Sequence, residues 1–393
     1  MRLPVLVVLA WRSLACSPLT SVLLVLAVTV GVAFQVPNTA NLDGYTAELL
    51  RLGVGRDGGD AEVLPRGVEH LTGAHALAAR IRRIPGVARV AVQYWRAGVV
   101  VWQGKGSPAR LVGLDADGAQ GPAGLCRFVA QGRCLGPDMP GAVLGAALAD
   151  DIHARPGDKV TVMSAIRKDG MYEPWEREWV VHGVLARGGG FGSDQTAFVD
   201  LGQLAEFDAG ADAASRLLLH VRDPDTVAEV ARRVEAAEPA ILCQPWWQVH
   251  TFVASAVAGN RTLAAISAAM SMLAVAVPVL ALFAIAVLRE RPSIAVLVAL
   301  GFARGEVFVL YLLKSALLAT LGSVCGAGLG LLLCAWFRRH PIYEHDGFAV
   351  RPLLGAATVL VPVALLAATT VAASLVPAWL AARANVSATL RGA

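Results

Sequence analysis

Residues 263–307 read LAAISAAMSMLAVAVPVLALFAIAVLRERPSIAVLVALGFARGEV, and the spacing of their charges decides the fold. Leu263–Val287 carries no charge and is long enough, at about 1.5 Å of helical rise per residue, to cross about 30 Å of hydrocarbon. The run stops at Arg289-Glu290-Arg291. Ile294–Leu300 is apolar again but too short to span, ends at Gly301, and is followed by Arg304 and Glu306. The chain therefore leaves the bilayer, makes a short surface helix and re-enters over Val307–Phe337. Outward from this stretch, Leu19–Phe34 and Leu353–Leu380 reach or approach spanning length. The chain of 393 residues is 56% hydrophobic and 16% charged, against roughly 45–50% and 25% in a soluble domain, which excludes a water-soluble enzyme.

The net charge of +4 divides unevenly. Outside residues 37–262 stand eleven Lys/Arg and four acids, so the insert between the first two spans carries three more acids than bases. The basic surplus belongs to the membrane part and gives no argument for nucleic acid. Arg2, Arg12, Arg289, Arg291, Arg304, Arg383 and Arg391 share one side if the chain crosses four times, and basic residues favour the cytoplasm. Both termini are then expected inside and the insert outside; Arg338 and Arg339 disagree. The first run reads as an uncleaved anchor, because it is long for a signal peptide and no small-x-small site precedes Gln35. Residues 3–16 suggest a short interfacial helix, with Pro18 in the first turn of the span. Tyr45, Leu49 and Leu52 have helical spacing, so the anchor is expected to continue outward as a stalk.

The expected architecture is an α-helical membrane protein with four transmembrane helices and a large extracytoplasmic α+β domain in two lobes. Residues 1–37 hold the interfacial helix and first span, 38–260 the domain with its stalks, and 261–393 the remaining spans, at about 263–287, 307–337 and 353–380. Within the insert, Ala61–Leu64, Ala88–Val92, Gly98–Gln103, Ala109–Leu114, Lys159–Met163, Trp179–Leu185, Thr196–Val199 and Leu217–Val221 read as strands. Ala74–Arg83, Ala142–Asp151 and Thr226–Ala237 read as helices. Trp246 and Trp247 belong either to an interfacial belt or to the domain core. Cys126 and Cys134 bracket a short loop and either bridge or stay free.

Catalytic signatures are missing: no G-x-x-x-x-G-K-[ST], no G-x-S-x-G and no H-E-x-x-H occurs. His340, Glu344, His345 and Asp346 cluster, but in so short a loop they read as solvated polar residues, not as a metal site. Gly188–Gly192 reads as a hairpin turn. Trp95, Trp102, Trp175 and Trp179 fit strand core better than a substrate cleft. Gly322, Gly326 and Gly330 put glycine on one helix face every fourth residue, a helix-packing stripe within the chain or between subunits. Lys314, well inside a span, is expected to snorkel to the headgroups, with an ion pair as the alternative.

These residues resemble the FtsX-like permeases of ABC transporters, the MacB and lipoprotein-releasing group. Glu290-Arg291 with Ile294-Ala295-Val296-Leu297 and Ala299-Leu300-Gly301 is similar to that family's loop motif. Leu321–Gly330 resembles its glycine-rich span, and Pro377-Ala378-Trp379-Leu380-Ala381-Ala382-Arg383 with Ala388-Thr389-Leu390-Arg391 its C-terminal pattern. Val143-Leu144-Gly145, Pro156-Gly157-Asp158-Lys159-Val160 and Leu9-Ala10-Trp11-Arg12-Ser13-Leu14 fit as well. Ser293 and Val298 depart from it where an acid and a base are usual, and Lys314 stands near a common glutamate. The resemblance implies a non-enzymatic subunit, with no catalytic residue, metal or cofactor of its own, that transmits the motion of a cytoplasmic ATPase dimer, which binds ATP and Mg, to the external domain. Glu290, Arg291, Ile294, Leu297, Leu300 and Gly301 would couple to that ATPase. A second permease copy or paralogue, membrane lipid and a periplasmic adaptor are the implied partners, in a bacterial inner membrane. Lipoprotein, peptide or a hydrophobic small molecule would be the cargo; the alternative is a regulator of an external cell-wall hydrolase.

Overall fold

The computed structural model describes residues 8–13, 18–56, 58–121, 124–136, 140–168, 171–205 and 212–383. Arg2, most of the interfacial helix outside 8–13, Arg391 and the Ala388–Arg391 motif lie outside them. Two compact units emerge, one of Met1–Thr46, Gly259–Ile342 and Val350–Ala393, the other of Ala47–Ala258 with Tyr343–Ala349.

The first unit is helical. Among the described residues, four helices are long and apolar enough to cross a bilayer: Pro18–Gly53, Thr251–Arg289, Arg304–Arg339 and Ala356–Ala382. The first continues past Pro37 to Gly53, and the second begins well before its apolar run. The fourth begins at Ala356, later than Leu353, because residues 351–355 have no regular structure and Leu353 N–H donates to the Ala40 carbonyl at 2.9 Å. Val28, Val32, Val36, Val275, Val279, Phe283, Leu318 and Leu366 share one apolar cluster. Faces away from it expose Leu26, Val277, Leu332 and Leu360, as lipid contact requires. Side-chain hydrogen bonds cross-link the helices: Ser271 Oγ donates to Gln35 Oε1 at 2.7 Å, and Asn260 Nδ2 to the Leu42 carbonyl at 2.8 Å.

The glycine stripe of the third helix packs inside the chain. A Cβ on Gly322 would lie 2.7 Å from Val28 Cβ, and one on Gly326 would lie 2.7 Å from both Val32 Cβ and the Thr29 carbonyl. Gly330 meets Val36 in the same way at 3.0 Å, whereas Gly328 faces open space. The backbones of the first and third helices are thus closer than any side chain allows, and Thr29 Oγ1 donates to the Gly322 carbonyl at 3.2 Å.

The second unit is built on one sheet. Its strands are β1 (Ala61–Pro65), β3 (Val87–Trp102), β4 (Lys105–Leu114), β5 (Val129–Gly132), β6 (Ala142–Leu144), β7 (Lys159–Lys168), β8 (Met171–Leu185), β9 (Thr196–Asp200), β11 (Arg216–Val221) and β12 (Ile241–Pro245). The short β2 (Leu71–Thr72) and β10 (Ala213–Ala214) pair separately. The order β12-β1-β11-β3-β4-β9-β6-β8-β5, with β7 pairing β3 and β8, mixes parallel and antiparallel ladders. Helices Ala74–Arg82 and Val227–Ala237 lay Leu77, Ile81, Val230 and Val234 on the core around Tyr94 and Trp179.

Three sequence expectations change here. Ala88–Val92 and Gly98–Gln103 are one strand, because Tyr94 and Trp95 pair across to Gly113 and Val112 without interruption. Ala142–Asp151 is not one helix: Ala142–Leu144 is a strand between β8 and β9, and the helix Ala146–Ile152 begins after Gly145. Only glycine fits at that junction, since a Cβ would lie 2.3 Å from the Asp194 carbonyl. Gly188–Gly192 is no hairpin turn, because β8 and β9 are separated by β6. Cys126 and Cys134 are joined by a disulfide.

Gly326→Leu should lower the thermal stability of the detergent-solubilised chain by about 1–3 kcal/mol or more, as overpacking does. Gly328→Leu should leave the melting curve nearly unchanged.

Candidate functional site

Arg291–Ala299 folds as a short helix between the second and third spanning helices. Pro292 in its first turn has no N–H to give the preceding helix, so that helix stops at Arg289 while the new one starts unstrained. Its end is a Schellman motif. Phe302 N–H donates to the Leu297 carbonyl at 3.2 Å and Gly301 N–H to the Val298 carbonyl at 3.0 Å, with Gly301 at φ +91°. Glu306 then accepts from Ala303 N–H at 3.0 Å and opens the third spanning helix.

The two faces of this helix differ. Ile294 and Ala295 are buried in the first unit's core, and Leu297 packs with Ala10 and Leu310. Val296 is 54% and Leu300 71% exposed. Arg291 is also exposed. Of the six residues picked out from the sequence, Arg291 and Leu300 therefore face outward, Gly301 shapes the turn, and Ile294, Leu297 and Glu290 face the rest of the unit.

Glu290 is the anchor. Its Oε1 accepts from Lys314 Nζ at 2.7 Å and its Oε2 from the Tyr311 hydroxyl at 2.7 Å. Lys314 also donates to Ser13 Oγ at 2.9 Å and has a side chain only 5% exposed. The lysine does not snorkel. Glu290, immediately past the end of the second spanning helix, satisfies its charge in place, at less cost than stretching to water. Ser13 brings residues 8–13 into the same network, a contact between positions 301 residues apart that carries no local mark.

Two ionic networks stand inside the second unit. Arg56, fully buried, donates to Asp194 Oδ1 at 3.1 Å and to the Ala186 carbonyl. Burial pulls its pKa down, and Asp194 opposes that shift. Asp194 also accepts from Gly188 N–H at 2.9 Å and Gly190 N–H at 3.1 Å, which fixes the glycine loop. Arg216 Nη1 reaches both Glu62 oxygens at 2.9 Å, and His250 Nε2 lies 3.4 Å from Glu62 Oε1. Burial works to raise the Glu62 pKa, but His250 and Arg216 outweigh it and hold the carboxyl below its ordinary value. Trp179 is buried, Trp102 and Trp175 pack against the core, and Trp95 is exposed. Asp346 binds Arg187 at 3.2 Å, and no group of three potential metal ligands occurs among the described residues.

Residues 19–237 match the family described as MacB-like periplasmic core domain, and residues 265–386 match the FtsX-like permease C-terminal family. The chain belongs to the MacB/FtsX-like family of ABC transporter permeases. The extracellular domain of the noncanonic ABC-type transporter YknZ from Gram-positive bacteria is 13% identical, covers 47% of this permease and 98% of its own chain, and superposes with a TM-score of 0.34. The periplasmic region of MacB from Actinobacillus actinomycetemcomitans is 15% identical, covers 52% and 95%, and gives a TM-score of 0.36. Among curated proteins none matches the permease in sequence.

Breaking the Glu290–Lys314 pair from one side should be costly. Glu290→Gln or Lys314→Met alone is expected to destabilise the permease by about 3–5 kcal/mol, because each leaves a charge buried without its partner. The double variant should recover much of that loss in a thermal-unfolding mutant cycle.

Proposed function

We propose that this permease passes the ATP-driven motion of a separate cytoplasmic ABC ATPase to its external domain, and that the helix Arg291–Ala299 is where the ATPase pushes. The observation that carries the reading is the two-faced character of that helix. One side is pinned to the third spanning helix through Glu290 and Lys314, while Val296 and Leu300 project unpaired from the other. A short apolar ridge flanked by Arg291 and Arg304 suits a groove on a soluble partner. A load applied there reaches the spanning helices without first deforming the connection. Hydrogen-bonded helices are stiff, so a tilt at one end becomes a displacement at the other.

The orientation proposed is both termini and this loop helix inside, supported by Arg12, Arg289, Arg291, Arg304 and Arg383 at one end of the helices. ATP and Mg would sit on the partner ATPase. The ATPase works as a pair, so a second copy or a paralogue of this permease completes the assembly. Lipoprotein, peptide or a hydrophobic small molecule is the cargo class, with a periplasmic adaptor as a further partner.

Tagged full-length permease, co-expressed with its cognate ABC ATPase, should retain that ATPase through purification. Leu300→Asp should weaken retention about tenfold to a hundredfold, as losing one buried leucine side chain predicts. Equal retention by the variant would remove the helix from the coupling role.

A further inference from the structure

The first unit holds a cavity of about 800 Å³ beside the loop helix, in the size range of sites for small organic ligands. Its lining joins parts of the chain that are distant in sequence: residues 9–13, the start of the first spanning helix, the end of the second, and the third at Leu310, Tyr311 and Lys314. The chemistry of the lining is divided. Leu9, Leu297 and Leu310 supply an apolar side. Arg12, Arg289, Glu290 and Lys314 supply the charges.

Those charges do not balance. Glu290 is fully engaged by Lys314 and the Tyr311 hydroxyl, and that pair contributes no net charge. Arg12 and Arg289 have no carboxylate partner among the described residues. Two uncompensated guanidiniums therefore border a cavity with an apolar wall, at the level where spanning helices end and headgroups lie. A guanidinium offers paired N–H donors that match phosphate oxygens, and it keeps its charge at any physiological pH. A small inorganic anion would satisfy the arginines but leave the leucine side unfilled.

We propose that this cavity binds an anionic phospholipid, with Arg12 and Arg289 on its phosphate and an acyl chain along Leu9, Leu297 and Leu310. The bound lipid bridges residues 8–13 to the loop helix, so the packing of the loop helix depends on the charge of the surrounding leaflet. The consequence for coupling, and which leaflet supplies the lipid, rest on the function proposed above. The binding itself does not.

The test uses purified full-length permease without any ATPase, so its outcome is independent of the coupling reading. Phosphatidylglycerol and phosphatidylcholine are titrated in mixed micelles, and bound lipid is counted by native mass spectrometry. Phosphatidylglycerol should bind at least about tenfold more tightly, with Arg12→Gln and Arg289→Gln each weakening it about fivefold, as one basic residue near a lipid surface does. Arg338→Gln, at the other end of the third spanning helix, should change nothing. Equal affinity of the wild-type permease for the two lipids would overturn the proposal, and this comparison stands even if an arginine variant fails to fold. Thermal stabilisation by inorganic phosphate alone that matches phosphatidylglycerol would also overturn it, in favour of a free anion.

Discussion

A buried lysine has to be neutralised where it stands, and that requirement organises the membrane unit. Lys314 sits three turns into the third spanning helix with 5% of its side chain exposed. An unpaired ammonium in such surroundings would cost several kcal/mol. The carboxylate that relieves it belongs to Glu290, at the break between the second spanning helix and the loop helix. One ion pair therefore fixes where the second helix must end relative to the third, and sets the entry angle of the loop helix. Tyr311 and Ser13 use the remaining hydrogen-bonding positions, so the pair is supported on both sides.

The glycine stripe imposes the complementary constraint. Between the first and third helices there is no charge to pair, and lipid gives no hydrophobic drive toward association. Close backbone approach supplies it instead: Gly322, Gly326 and Gly330 take Val28, Val32 and Val36 into the space where their own side chains would be. The third helix is thus held to the second by charge near one end, and to the first by shape along much of its length. It is the element through which both contacts run.

How much of this was legible in the sequence depends on the range of the signal. Apolar runs, Gly301 and the glycine spacing are local, and each fixes its own backbone. They sufficed for four spans, the loop helix and the packing face. The strand through Tyr94-Trp95 was read as two because Arg96-Ala97-Gly98 beyond them has weak strand propensity, whereas the pairing of this stretch to Ala109–Gly113 depends on a partner strand. Ala142–Asp151 misled because a three-residue buried strand and a short helix have the same apolar density. The partner of Lys314 was out of reach for another reason. Position within the span says how deep a lysine lies, but only the fold of the intervening turn brings Glu290 beside it. Arg56 and Asp194, which hold the glycine loop, are 138 residues apart and carry no local mark at all.

The loop helix gains its character from the contrast between its faces. Pinning by an ion pair alone would permit rotation about the helix axis, but Ile294 and Leu297 bury the flanks of the same face and prevent it. What remains outside, Val296 and Leu300, is too small a patch to be stable in water as an association surface of its own, yet large enough to be held by a partner groove. In the coupling role proposed above, a short helix with one anchored side and one free apolar side would convert contact into displacement with little loss, because the helix itself joins the ridge to the ion pair. The same anchoring explains why the positively charged cavity lies where it does. Glu290, the one acid among the described residues lining that cavity, is taken by Lys314 and Tyr311, which leaves Arg289 and Arg12 unneutralised.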